Sequence, residues 1–192
     1  MRLLNDLRAI APVYYVTGNH ESRIEDYEKL ERQMRQAQAA ILRDEAVVLT
    51  RAGQSLKLIG LEDPAFLLNE GWMNSDYYDI LVKLKMKKLC SRRDMFSILL
   101  THRPELFPVY SRYPIDLVLC GHAHGGQVRL PVLGSVYAPG QGLFPRYAQG
   151  VHEKNHTKMI INRGLGNSSM PVRFHNRPEV VVVTLSAGKG KG

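Results

Sequence analysis

The segment Cys120-Gly121-His122-Ala123-His124-Gly125-Gly126-Gln127 follows directly on an apolar run at residues 115–120. That run is bounded by Pro114 and Gly121 and is rich in branched side chains, the pattern of a buried strand. The glycines let the chain turn sharply where the strand ends. In an open α/β sheet this end is where ligands bind, and neutral imidazole is the commonest metal ligand a protein offers. Taken alone, the His-X-His pair reads equally well as a polar turn whose histidines are satisfied by hydrogen bonds.

Two further segments tip that balance. Thr17-Gly18-Asn19-His20-Glu21 follows the apolar, aromatic residues 13–16, and Thr101-His102 follows Phe96–Leu100. Four of the 7 histidines therefore stand at the ends of three separate predicted strands. His152, His156 and His175 lie in polar, loop-like sequence and read as surface residues. Asn19 offers an amide oxygen, and His102, His122 and His124 offer imidazole nitrogens. A mixed nitrogen and oxygen set without thiolate suits Zn, Mn, Fe, Co or Ni and argues against Cu(I) and iron–sulfur clusters. A hydrolytic centre also calls for carboxylates. The nearest candidate, Asp63 in Gly60-Leu61-Glu62-Asp63-Pro64, reads as a turn residue before proline.

With 192 residues the chain is long enough for one domain with a sizeable core. We expect that domain over residues 1–186, with the Gly/Lys-rich residues 187–192 as a disordered tail. No apolar run approaches the ~20 residues of a membrane-spanning helix, and residues 1–10 lack the apolar stretch of a signal peptide. The cytoplasm is thus the expected compartment, with membrane association expected for a chain carrying a longer N-terminus. Cys90 and Cys120 sit among apolar residues, and two cysteines do not make a disulfide framework. The formal net charge of +8 favours an anionic partner. Without a basic stripe interleaved with aromatics, it gives nucleic-acid binding little support. Lys83, Lys85, Lys87 and Lys88 read as a solvated helix face.

In order along the chain, residues 1–9 show helical spacing, Ala11-Pro12 breaks it, and a strand is expected at 13–16. Ser22 and Glu25 form a capping-box pattern opening a long amphipathic helix at 23–42. A hairpin is expected from strands 47–50 and 56–61, then a loop through Trp72. A helix at 76–89 is expected to face the core with Tyr77, Ile80, Leu81 and Leu84. A short helix at 104–110 begins with proline, as first turns often do. Short strands follow at 127–130 and 135–137, a Gly/Pro-rich loop at 139–149, and strands at 158–162 and 180–185. Parallel-type strands with helices come first and antiparallel-type strands later, which two packed sheets with helices outside would satisfy.

Gly18-Asn19-His20-Glu21, Thr101-His102 and Gly121-His122-Ala123-His124 resemble, in order and in strand-end context, the third, fourth and fifth motifs of the calcineurin-like metallophosphoesterases. His124-Gly-Gly-Gln-Val-Arg-Leu-Pro131, Arg163-Gly-Leu-Gly166, Arg173-Phe174 and Arg177-Pro-Glu179 narrow the resemblance to the bacterial branch of YkuE/YaeI type. It implies an α/β fold, a four-layer αββα sandwich of two mixed sheets with flanking helices. It also implies two divalent metal ions, with Asn19, His102 and His122 binding one and His124 the other. His20 would be the catalytic histidine, protonating the leaving group or steadying charge on the phosphoryl oxygens, while a bridging hydroxide attacks phosphorus. The implied substrate is a phosphodiester, phosphomonoester or pyrophosphate, phosphorylated small molecule or lipid, with peripheral membrane contact through Leu143, Phe144, Pro145 and Tyr147 as one expectation and a loop packed on its own domain as the other.

The family's Asp-X-His and Gly-Asp-X-X-Asp motifs do not occur in the 192 residues. The expectation is therefore an N-terminally truncated form of the fold, without its first βαβ unit and impaired in turnover. The alternative is a non-catalytic scaffold that keeps the fold without the chemistry.

Overall fold

The computed structural model describes residues 1–67, 75–90, 93–167 and 173–186. Its centre is a six-stranded mixed sheet in the order β11-β12-β6-β5-β4-β3. These strands are β3 (Glu45–Arg51), β4 (Gln54–Gly60), β5 (Phe96–Leu100), β6 (Leu117–Cys120), β11 (Gly150–Lys154) and β12 (Thr157–Ile161). The four inner strands run parallel, and the two edges are closed by antiparallel hairpins. β5 and β6 pair in register Leu100↔Leu119, so the segments that leave them, Thr101-His102 and Gly121-His122, emerge side by side.

One face of this sheet carries α3 (Ser75–Leu89) and α4 (Phe107–Tyr110) over a core of Leu99, Val118, Phe107, Tyr110, Val82, Met86 and their neighbours. Burying each such side chain is worth about 1.5–3 kcal/mol. Against the other face lies a two-stranded parallel sheet, β1 (Tyr14–Tyr15) with β2 (Ala40–Ile41). Tyr14, Val16 and Leu42 pack there on Leu58, Ile98 and Leu117. α1 (Arg2–Arg8) and α2 (Tyr27–Gln36) cover its outer side, where Leu4, Tyr27, Leu30 and Met34 meet Tyr15 and Ile41. The layer order is therefore helix, sheet, sheet, helix, as expected, with two described strands in the second sheet. The small strands β7 (Arg129–Leu130), β8 (Gly134–Ser135), β9 (Tyr137–Ala138) and β10 (Gly142–Leu143) form two hairpins beyond β6.

Several expectations need correction. The long helix at 23–42 covers only Tyr27–Gln36. Asp26, not Ser22, caps it by accepting from the Lys29 amide at 3.1 Å. Gln38 turns left-handed at φ 59° and ends it, and residues 40–41 become strand because Val13 and Tyr15 carbonyls accept from Ala40 and Leu42. On α3 the face was misassigned. Val82 and Met86 are fully buried, whereas Tyr77, Ile80 and Leu84 are exposed. Both stripes of that helix are apolar, so periodicity could not choose between them. Tyr78 on the buried side takes the Arg103 guanidinium 4.4 Å over its ring.

Lys85 is not solvated but pairs with Asp44 at 2.7 Å. β11 falls on the polar sequence Gly-Val-His-Glu-Lys, where an edge strand needs no apolar alternation. Residues 180–185 form no strand with the described residues, and Val180 and Val182 are exposed. No helix among the described residues is long and apolar enough to cross a membrane. The expectations for Trp72 and for the tail 187–192 lie outside the described residues.

Candidate functional site

Three polar atoms converge where the two sheets meet. His102 Nε2 lies 2.9 Å from Asn19 Oδ1 and 3.0 Å from His122 Nδ1, and the two imidazole rings are 4.6 Å apart at a 59° tilt. Residues from the ends of β1, β5 and β6 are thus brought together although 83 positions separate Asn19 from His102. Donor atoms about 3 Å apart match the spacing of ligands sharing one cation with metal–nitrogen bonds of ~2.0–2.1 Å.

Backbone geometry fixes the cluster. The Gly18 amide donates to Glu21 Oε2 at 2.7 Å, and Ser22 Oγ donates to the Asn19 carbonyl at 2.9 Å. A Cβ on Gly18 would stand 2.8 Å from His102 Cε1, so only glycine admits the ring there. Beyond β6, His122, His124 and Gln127 all take positive φ (63°, 48° and 51°), a conformation uncommon for non-glycine residues and concentrated at functional sites.

Burial sets the charge state of the imidazoles. Desolvation pushes His102 down to about 4, with Arg103 adding to the effect and Asp63 opposing it. Desolvation, reinforced by His102 and Arg103, pushes His122 down to about 2. At pH 7 burial favours the neutral ring in both, and in the tautomers protonated on His102 Nδ1 and His122 Nε2 the facing nitrogens present lone pairs, so the residues fit a divalent metal. His124 is lowered by desolvation and by Arg173 and His20. Its Nδ1 is buried without a hydrogen-bond partner among the described residues, and no hydrogen bond joins it to the other three. His20 is exposed at the start of a 3₁₀ turn, Glu21–Arg23, with no capping role for its side chain. Its charge is nonetheless close enough to lower both His122 and His124.

Sequence reasoning missed the support behind this cluster. Asp63 does cap the turn Pro64–Phe66, accepting from the Ala65 amide at 2.9 Å, which is the expected turn role. Beyond that, it takes a two-pronged ion pair from Arg103, at 2.9 Å to Nε and 3.0 Å to Nη2, with both side chains buried. The Asp63 amide also donates to Thr17 Oγ1 at 3.2 Å. Thr17, Asp63 and Arg103 therefore tie the Asn19 turn to the His102 turn. Glu105 was also missed. Its Oε1 lies 4.0 Å from His122 Nε2, itself buried without a hydrogen bond among the described residues, and desolvation raises the carboxyl to about 7. No local signature links these residues, although the Asp-Pro and Arg-Pro-Glu segments that carry them flank the strand ends already singled out.

The other histidines serve locally. His152 Nε2 lies 3.0 Å from the Gln149 carbonyl, and His156 Nε2 lies 3.0 Å from that of Tyr113. Both cysteines are free and buried, and desolvation lifts the Cys90 thiol to about 11.

Residues 1–126 match the family described as calcineurin-like phosphoesterase. The chain is 38% identical over 114 residues to YkuE of Bacillus subtilis, an uncharacterized metallophosphoesterase, covering 59% of this chain and 37% of that one. It is 27% identical over 185 residues to phosphodiesterase YaeI of Escherichia coli, covering 95% and 62%. Over 93 residues it is 33% identical to UDP-2,3-diacylglucosamine pyrophosphatase LpxG of Chlamydia muridarum, covering 45% and 28%. The matched region thus spans less than two thirds of each of these relatives.

Proposed function

Because this chain belongs to the calcineurin-like phosphoesterases, we propose that its histidine cluster serves metal-dependent hydrolysis of a phosphoester. The observation that carries this reading is the meeting of Asn19 Oδ1, His102 Nε2 and His122 Nδ1 within 2.9 and 3.0 Å steps. Those three atoms would hold one divalent cation, and His124 would contribute to a second, the ions being drawn from Mn, Zn, Fe, Co or Ni. Such ions polarise a phosphoryl oxygen and make a hydroxide nucleophile available at neutral pH.

The chain's own part is positional and acid–base. Burial favours the neutral form of His102 and His122, so one nitrogen of each ring is able to present a lone pair. The Thr17–Asp63–Arg103 bridge holds the two turns at fixed separation. His20, exposed to solvent, gives its imidazole proton to the leaving-group oxygen as the phosphorus–oxygen bond breaks, so that an alcohol rather than an alkoxide departs. The net charge of +8 and the pyrophosphatase and phosphodiesterase relatives support an anionic substrate, lipid-linked by the likeness to LpxG.

A scaffold without turnover is the second reading. It is favoured by one observation: the three converging donors, one amide oxygen and two imidazole nitrogens, include no carboxylate. The test is hydrolysis of bis-p-nitrophenyl phosphate with added Mn²⁺ or Zn²⁺, followed alongside bound metal. Slow, EDTA-sensitive turnover lost in His102→Ala and His122→Ala is the expected result. Turnover that survives EDTA or either substitution would contradict the proposal, and stoichiometric metal without any turnover would select the scaffold.

A further inference from the structure

Away from the histidine cluster, the two small hairpins after β6 end in exposed apolar side chains. At the first tip Val132 is entirely exposed and Leu133 is 63% exposed; at the second, Leu143 and Phe144 are 69% and 62% exposed. The tips belong to one surface, because Leu133 and Phe144 line the same open groove of about 230 Å³. The Phe144 amide also donates to the Val136 carbonyl at 2.8 Å, tying the second tip to the first hairpin's base. Val132 and Phe144 both have positive φ (69° and 53°), so the backbone is bent sharply under each. Folding does not repay this with burial: Tyr147, in the same loop, goes into the core while its neighbours Leu143 and Phe144 remain outside.

The groove between the tips is cationic. Arg129 and Arg146 line it, and among the described residues no carboxylate does. Arg129 is held by an Nη1 donation to Ser135 Oγ at 3.1 Å, and Ser135 Oγ in turn donates to the Gly125 carbonyl at 2.9 Å. Arg146 lies 5.3 Å over the Tyr147 ring. The groove is thus joined through Ser135 to the turn that carries His124. Apolar tips around paired arginines make a surface that suits the acyl boundary and the anionic headgroups of one bilayer leaflet.

We propose that residues 129–133 and 142–146 form a membrane-docking edge for anionic phospholipid, with the four apolar side chains entering the acyl boundary and Arg129 and Arg146 meeting the phosphates. This edge stands apart from hydrolysis, so its failure would leave the proposed reaction untouched. The chain's +8 charge reinforces the preference for anionic lipid.

The test is co-sedimentation with vesicles of phosphatidylcholine alone and of phosphatidylcholine with one-third phosphatidylglycerol. The native chain should sediment with the anionic vesicles, less as salt rises, and little with the neutral ones. Leu143→Ser with Phe144→Ser should lower partitioning about tenfold or more, given the apolar area withdrawn from the acyl boundary. Val132→Ser with Leu133→Ser should lower it comparably, and Arg146→Gln about fivefold. All five residues reach solvent, and an unchanged melting temperature would show that the variants fold. Ile80→Ser with Leu84→Ser, on the exposed face of α3, should have no effect. Unchanged partitioning of the tip variants, or loss in the α3 variant alone, would overturn the proposal. So would a dimer in the absence of vesicles that the tip variants abolish, which would assign the edge to a second copy of the chain.

Discussion

The histidine cluster has two halves built differently. His102 and His122 leave adjacent inner strands of the six-stranded sheet, in register and packed above Leu99 and Val118. Asn19 leaves β1, a two-residue strand whose hydrogen-bonded neighbour is another two-residue strand. The first half is positioned by a continuous ladder and a deep core. The second depends on single contacts, namely Glu21 on the Gly18 amide, Ser22 on the Asn19 carbonyl, and Thr17 on Asp63. A site can therefore be precise on one side through many weak constraints and on the other through a few strong ones, and the few should be the easier to break.

The largest effect is expected at the bridge between the halves. Arg103→Leu leaves Asp63 buried and unpaired, which typically costs about 3–5 kcal/mol. Thermal unfolding should show that loss. Arg103→Leu with Asp63→Leu removes both charges and should recover much of it. A double variant no more stable than the single would mean that the pair does not act as a unit.

Acid should strain the histidine half selectively. His102, His122 and His124 have lowered pKa values in the fold, whereas in the unfolded chain they take protons near 6.5. The unfolded state then binds more protons. For His102 and His122 this part of the stability is complete above pH 6.5 and is lost as pH falls towards 4, at up to about 1.4 kcal/mol per pH unit for each group, and His124 acts in the same direction. Glu105 acts oppositely: raised to about 7, it favours the fold at lower pH and offsets one imidazole. With EDTA present, the melting temperature should fall from pH 7 to pH 5. A flat or rising profile would show that the imidazoles are already charged in the fold.

A smaller effect, about 1 kcal/mol, is expected from Gly18→Ala, whose Cβ would press on the His102 ring and require it to move. Metal affinity should drop more than stability does, because the ring carries the displacement. Equal affinity in both forms would mean that the Asn19 turn and His102 are not in close register.

Much of the histidine half was legible in the sequence. Phe96–Leu100 and Leu117–Cys120 are unbroken apolar runs, as buried parallel strands tend to be, and each ends in a histidine turn. Less was legible where pairing is remote. The Asp63–Arg103 ion pair joins positions 40 apart, and β2 sits in an alanine-rich stretch that continues the period of α2 until Gln38 turns. The buried face of α3 was hidden for the opposite reason: two apolar stripes compete, and only contact with the sheet chooses Val82 and Met86.

The most direct measurement is calorimetric titration of Mn²⁺ into the metal-free chain, His122→Ala and His20→Ala. His122 provides one of the three converging donors, whereas His20 lies exposed beside them. His122→Ala should weaken binding by about 100-fold or more, beyond the 10–100-fold typical of losing an outer partner. His20→Ala should leave affinity unchanged while lowering any turnover by roughly 10²–10⁴-fold. Binding that survives His122→Ala, or disappears in His20→Ala, would contradict the assignment of the cluster as a cation site.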